Sequence, residues 1–324
     1  MGRVLVPFIA LSAAVVSVGC RSKAPPPTAA ALAPKPAPKP PPKPPVDAWI
    51  SAKSFCALPL AKAEVPSTGG QLTDSLMTAW KVGLALKNPA QAVTLLGGRY
   101  PAIDEMRVDL SGAVMKPGKV KGSYTEVPSA TSRGMTVGRF AFVAEPMVSH
   151  KANLNVQVTG ADVRFDLRKD KEGKAFLLMT DAREGTLHFD ASTADLERVM
   201  LAMAQQGAAG KGITVRKVEL NLRSVSARSI DAELYVHTLV GFLPAGMKFT
   251  ARVDVDEQMN AKIWNLTVDG DDLLGPLVTG ILRPSIKKFD GKTKPLIAFP
   301  GDLKLRDVQI RAGERVTLDA VFGR

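Results

Sequence analysis

An α+β fold, in which helices cover the greasy face of an antiparallel β-sheet, is predicted by three observations. Apolar and polar residues alternate with a period of two through most of the chain after Ile103. Such alternation marks strands with one buried and one solvated face. The links between alternating runs are short and carry Gly or Asp, as at Lys171-Glu172-Gly173 and Arg311-Ala312-Gly313, which favours meanders over parallel crossovers. Two segments of helical spacing, near residues 192–207 and 273–289, interrupt the alternation.

The chain begins with a targeting signal rather than a fold element. Arg3 supplies a positive start, and Val4 to Val18 is an apolar run shorter than the roughly 20 residues a spanning helix needs. It ends in Ser17-Val18-Gly19-Cys20, a small residue before a cysteine, which resembles a bacterial lipobox with Ser17 where Leu is commonest. That resemblance implies removal of residues 1–19 and diacylation of Cys20. Cleavage by the ordinary signal peptidase near Ala31 is the alternative. Arg21 stands where Asp would signal inner-membrane retention, so the implied address in a diderm host is the periplasmic face of the outer membrane.

Residues 20–46 form a spacer of Pro, Ala and Lys, including Ala33-Pro34-Lys35-Pro36-Ala37-Pro38-Lys39-Pro40. Proline fixes φ and removes donors, so 24–46 is a semi-rigid polyproline II segment. At roughly 3.1 Å per residue it reaches on the order of 70 Å. If Cys20 is acylated, Cys56 has no partner within the chain and reads as a small buried thiol. About 280 residues remain to fold, as one large β-rich unit or as two lobes.

Residues 47–99 read as a helical N-terminal segment, and 100–324 as a β-rich domain. From Gln71 to Leu96 the apolar positions Leu72, Leu76, Ala79, Trp80, Gly83 and Leu84 recur at three and four, with Asn88-Pro89 breaking the run and starting a second short helix. Strands follow at Met106–Leu110, Leu154–Val158, Val163–Leu167, Val218–Leu222, Phe249–Val255 and Val316–Phe322. Ser192 or Thr193 can cap the next helix, with Asp195 in its first turn, the stripe Leu196, Val199, Met200 and Met203, and Gly207 as a stop. The last helix carries Leu273, Leu274, Leu277, Val278, Ile281, Leu282, Ile286 and Phe289, and is apolar around most of its circumference.

Catalytic signatures are missing from this pattern. His150, His188 and His237 have no ligand-spaced neighbours, and there is no Gly-x-Ser-x-Gly elbow. Gly207-Ala208-Ala209-Gly210-Lys211-Gly212 fails as a phosphate loop, because Gln205 and Gly212 stand where Gly and Ser or Thr are needed. Asp254-Val255-Asp256-Glu257 and Asp269-Gly270-Asp271-Asp272 lack a calcium-loop pattern and read as a hairpin turn and a helix cap. Asn265-Leu266-Thr267, a sequon, falls inside a strand. No cofactor or metal is expected, and the chain reads as a non-enzyme. The net charge of +12 includes six cations before Asp47, and the rest is dispersed, which argues against nucleic acid and suits a tether beside anionic lipid.

From Gly185 onward the order of elements resembles the LmeA-like periplasmic phospholipid-binding family of the tubular lipid-binding (TULIP) superfamily. The similar parts are Leu187-His188-Phe189 running into Thr193-Ala194-Asp195-Leu196-Glu197, the strands from Gly212 through Tyr235, the 273–289 helix, and Phe299-Pro300-Gly301-Asp302-Leu303-Lys304-Leu305-Arg306-Asp307-Val308. The match is good over 185–324, loose over 100–184 and absent over 47–99. It implies a long curved sheet wrapped around a helix, with an apolar groove for acyl chains. Leu196, Val199, Met200, Met203, Leu277, Val278, Ile281 and Leu282 are the candidate lining. Non-catalytic binding or transfer of phospholipid, by a chain anchored to the membrane through lipid, is the function this implies. The alternative is a lipoprotein with a closed core that scaffolds an envelope partner on its polar face.

Overall fold

A computed structural model describes residues 57–61, 66–116, 132–169, 175–210, 212–272, 274–276, 279–280, 290–297, 299 and 302–324. The expected signal and spacer, Cys20, Cys56 and the Lys171–Gly173 turn lie outside them. So do the lining candidates Leu277, Val278, Ile281 and Leu282.

The fold is α+β and mostly strand. One sheet has eleven strands and a second has five. In the first, β15 (Lys304–Ala312), β16 (Arg315–Gly323), β9 (Glu184–Ser192), β7 (Ala152–Lys169), β6 (Ser132–Ser149), β4 (Ala102–Asp109) and β3 (Val93–Arg99) lie in that order. The second is a meander of β10 (Ile213–Ser226), β11 (Ser229–Val240), β12 (Leu243–Val255) and β13 (Asn260–Asp271), ending in β14 (Thr293–Pro295). Helix α1 (Gly69–Gly83) packs near β3, and α2 (Thr193–Ala208) lies between the sheets.

The first sheet is mixed rather than antiparallel throughout. β4 runs parallel to β6, and so does the short β5 (Val114–Met115). Alternation reports how many faces of a strand are covered, not its direction. The chain between β4 and β6 is also long enough for a crossover in place of a hairpin.

The helical reading of residues 47–99 is corrected in part. Helix α1 ends at Gly83, because Leu84 is extended (φ −127°, ψ 143°). Leu84–Ala85 then form β2, paired with β5, and Val93–Arg99 form β3 on the edge of β4. Only a 3-10 turn, Pro89–Gln91, separates them. Ala57–Pro59 form β1 and pair with β8 (Ala175–Asp181). This region is therefore part of the large sheet. Its helix buries Leu72, Leu76, Met77 and Trp80, and is capped by Thr68 accepting from the Gln71 N–H.

Strand β7 divides its edge between two partners, pairing β9 over Leu154–Ala161 and β8 over Arg164–Lys169. A crease crosses the sheet at the same level. In β7 the buried positions are Leu154, Val156 and Val158 before it and Val163, Phe165 and Leu167 beyond it, so alternation restarts out of phase. The pairing of β6 with β7 keeps its register across this line, from Arg139↔Ala161 to Val137↔Val163. Asp162 sits there at φ 50°, and a Cβ on Gly97 or Gly138 would fall 2.3 Å or 2.8 Å from Asp104. Gly138 is required because the atom it would meet is the Asp104 backbone carbonyl, and Gly97 is favoured by its φ of 61°. One continuous hydrophobic cluster runs through both sheets and both helices.

Candidate functional site

Helix α2 starts where expected. Ser192 caps it by accepting from the Asp195 N–H at 3.0 Å, and its hydroxyl donates to the Asp195 carboxylate at 2.6 Å. The buried face is Leu196, Val199, Met200, Ala204 and Ala208, together with Asp195. That face packs mainly on β10, with β7 and β9 behind.

Three polar side chains fasten the helix to both sheets. Asp195 accepts the Asn153 N–H of β7 at 3.0 Å, next to Leu154 where the pairing with β9 ends. Glu197 accepts the Leu220 N–H of β10 at 2.8 Å, and Gln205 donates to the Val215 carbonyl at 3.0 Å. Strand β10 is an edge strand, and these contacts satisfy backbone groups that a neighbouring strand would otherwise pair. Burial raises the Asp195 pKa, but hydrogen bonds from Ser192 and Asn153 and the Arg198 charge outweigh it, leaving the carboxyl below its ordinary range.

Of the expected lining, Leu196, Val199 and Met200 are buried beside one another, while Met203 is partly exposed. The inner face of the meander opposite them is apolar, with Val218 and Leu220 on β10, Leu234 and Val236 on β11, and Met247 and Phe249 on β12 all buried. Leu201, Met203 and Ile213 are the partly exposed residues packed against this cluster near the end of α2. Among the described residues, the buried polar side chains on α2 and the meander are Asp195 and Thr238, and Thr238 donates to the Ala245 carbonyl at 2.7 Å. The arrangement of the described residues offers mainly apolar surface.

Polar side chains collect on the outer faces. On the meander, Glu219 accepts from His237 at 2.9 Å and also pairs with Lys217, and these two contacts hold its carboxyl below the ordinary range. Tyr235 packs edge-on against His237 and donates to Asp271 at 2.9 Å. Burial and then Asp271 push its phenol up to about 12. A Cβ on Gly246 would lie 2.5 Å from the Tyr235 hydroxyl oxygen, so Tyr235 covers this glycine in the strand. On the first sheet, His188 meets Asp319 at 2.6 Å, and His150 lies exposed in the β6–β7 turn. The three histidines thus stand at separate places. These half-exposed ion pairs set strand register and contribute little each to stability.

No family model, curated protein or solved structure matches the chain.

Two features escaped the periodicity. One is the role of Glu197 and Gln205 as edge caps, which depends on where β10 passes. The other is Phe242, 86% exposed at the β11–β12 turn. An uncharged run from Thr238 to Met247 was the available signal.

Proposed function

We propose that this chain is a lipid-anchored envelope protein that binds a phospholipid or other acyl-chain lipid without catalysis, between α2 and the sheets. The reading includes acylation at Cys20, the outer-membrane address and kinship with the LmeA-like, TULIP-type proteins, whose long curved sheet wraps a helix. One observation carries it. Among the described residues, the stripe of α2 faces an apolar sheet surface, and Leu201, Met203 and Ile213 at its end are apolar side chains left partly exposed. Burying acyl methylenes at about 0.8 kcal/mol each supplies affinity without a specific motif.

Native mass spectrometry of the full chain, followed by denaturation and identification of the released lipid, tests the proposal. The expected result is a lipid in stoichiometric amount. Met203 is the least buried of the described lining candidates, so Met203→Lys places a charge at the partly exposed end of the stripe while leaving the buried Leu196, Val199 and Met200 unchanged. That variant is expected to lose most of its lipid and to unfold close to the parent's midpoint. A parent that stays lipid-free after incubation with phospholipid vesicles would overturn the proposal in favour of a closed-core scaffold.

A further inference from the structure

We infer that the β11–β12 hairpin tip is a membrane-insertion element, the end of the molecule that dips into a bilayer while lipid passes to or from α2. The inference rests on the lipid-binding reading above and adds the surface through which it works.

The tip is formed by Val240-Gly241-Phe242-Leu243, with Val240 paired to Leu243 across the turn. Phe242 is 86% exposed, the most exposed large apolar side chain among the described residues. It is not isolated. Leu239, Val240 and Leu243 are each partly exposed, and Ile213 pairs directly with Val240 on the neighbouring strand. No charged residue occurs between His237 and Lys248. Ile213 also packs against the hydrophobic cluster, so the apolar tip is continuous with the interior at the end of α2.

The occupant follows from size and backbone chemistry. One Phe and four smaller flanking side chains offer too little surface for a stable protein interface, which needs about 800 Å² per partner. A bilayer sets no such threshold, since each apolar side chain gains independently by entering it. Lipid does penalise unpaired backbone donors. Here the Gly241 N–H is bonded to the Gly212 carbonyl at 3.1 Å, and Pro244 has no N–H to satisfy. Gly241, at φ 64°, allows the tight turn that thrusts Phe242 outward. Nearby charge is mixed, with Arg216 and Lys217 on β10 and Asp271 and Asp272 at the end of β13. Apolar insertion rather than net charge therefore carries the contact, and it should be insensitive to salt.

The test places an indole at the tip, Phe242→Trp in the full chain, and mixes the protein with phosphatidylcholine vesicles carrying brominated acyl chains. Emission is read as the difference from the parent, which cancels Trp49, Trp80 and Trp264. The expected result is a blue shift and loss of the added emission, unchanged in high salt. Phe242→Asp, which alters no packed residue, should unfold at the parent's midpoint yet take up fluorescent phospholipid from vesicles more slowly. Unshifted emission with vesicles, or uptake by Phe242→Asp at the parent's rate, overturns the inference even where the parent carries lipid. Quenching of the tip in a chain that carries no lipid would instead uphold the membrane contact and sink the lipid-carrier reading.

Discussion

Replacing Phe322 by Ala is expected to lower the unfolding free energy by about 3–5 kcal/mol, among the largest losses any single site here should give. Phe322 is fully buried in the last strand, and its ring stacks on Phe299 with centroids 4.9 Å apart. It lies directly across from Gly185, where an added Cβ would come within 2.3 Å of the ring. The ring fills the space that the missing side chain leaves. Gly185→Ala should therefore destabilise by about 1–3 kcal/mol on its own, since a ring closed in on all sides cannot give way. Joined with Phe322→Leu, the same Gly185→Ala should cost less than the two single changes summed. Urea unfolding of the four chains, with an unchanged denaturant slope, measures the coupling. Strict additivity would show that the ring does not depend on the glycine.

The second large effect is expected at Asp195. Asp195→Ala removes the acceptor for the half-buried Asn153 N–H and the acceptor for the Ser192 hydroxyl at once. The Ser192 cap on the residue 195 N–H survives, so the lost carboxylate contacts to Asn153, Ser192 and Arg198 predict a cost of about 1–3 kcal/mol. The same carboxyl gives a pH signature. Its folded pKa lies below the ordinary value, so its contribution is complete above about pH 4 and is lost as pH falls through the lowered pKa. Asp190 adds a term of the same sign, held down first by its hydrogen bond with Arg315, against burial, and then by Asn155. Asp195→Asn keeps an oxygen acceptor but no charge, and should lose less at neutral pH while flattening the acid limb. Unfolding midpoints of parent and variant from about pH 6 to about pH 2 check the point. Parallel curves would mean that Asp195 contributes no acid-linked stability.

Helix α2 was the most legible element. Ser192, Asp195 and the stripe from Leu196 to Met203 placed it to within a residue of its observed Thr193–Ala208 span, because cap and stripe are both local signals. The meander was equally readable at Val218–Leu222 and Phe249–Val255, where one face is buried and the other solvated. The N-terminal helix was read too long. Leu84, Leu95 and Leu96 keep an apolar rhythm after Trp80, yet β4 and β5 draw those segments into strands. Strand β8 hid for the opposite reason. All of Ala175–Thr180 is buried, so it lacks the alternation of a half-solvated strand.

Sequence by itself determined the fold class, the capped amphipathic helix, the antiparallel meander and the apolar character of the interior. Each depends on short-range periodicity and on hydrogen bonds between residues a few positions apart. Tertiary structure alone decided the parallel placement of β4 against β6, the crease at Gly97, Asp104, Gly138 and Asp162, and the capping of β10 by Glu197 and Gln205. It also decided that Phe242 would face solvent while its apolar neighbours on β11 and β12 were covered. These features join residues tens of positions apart or turn on which side chain is left uncovered. They are set by which sheet edges and faces remain free once the strands have paired, which hydrophobic periodicity does not encode.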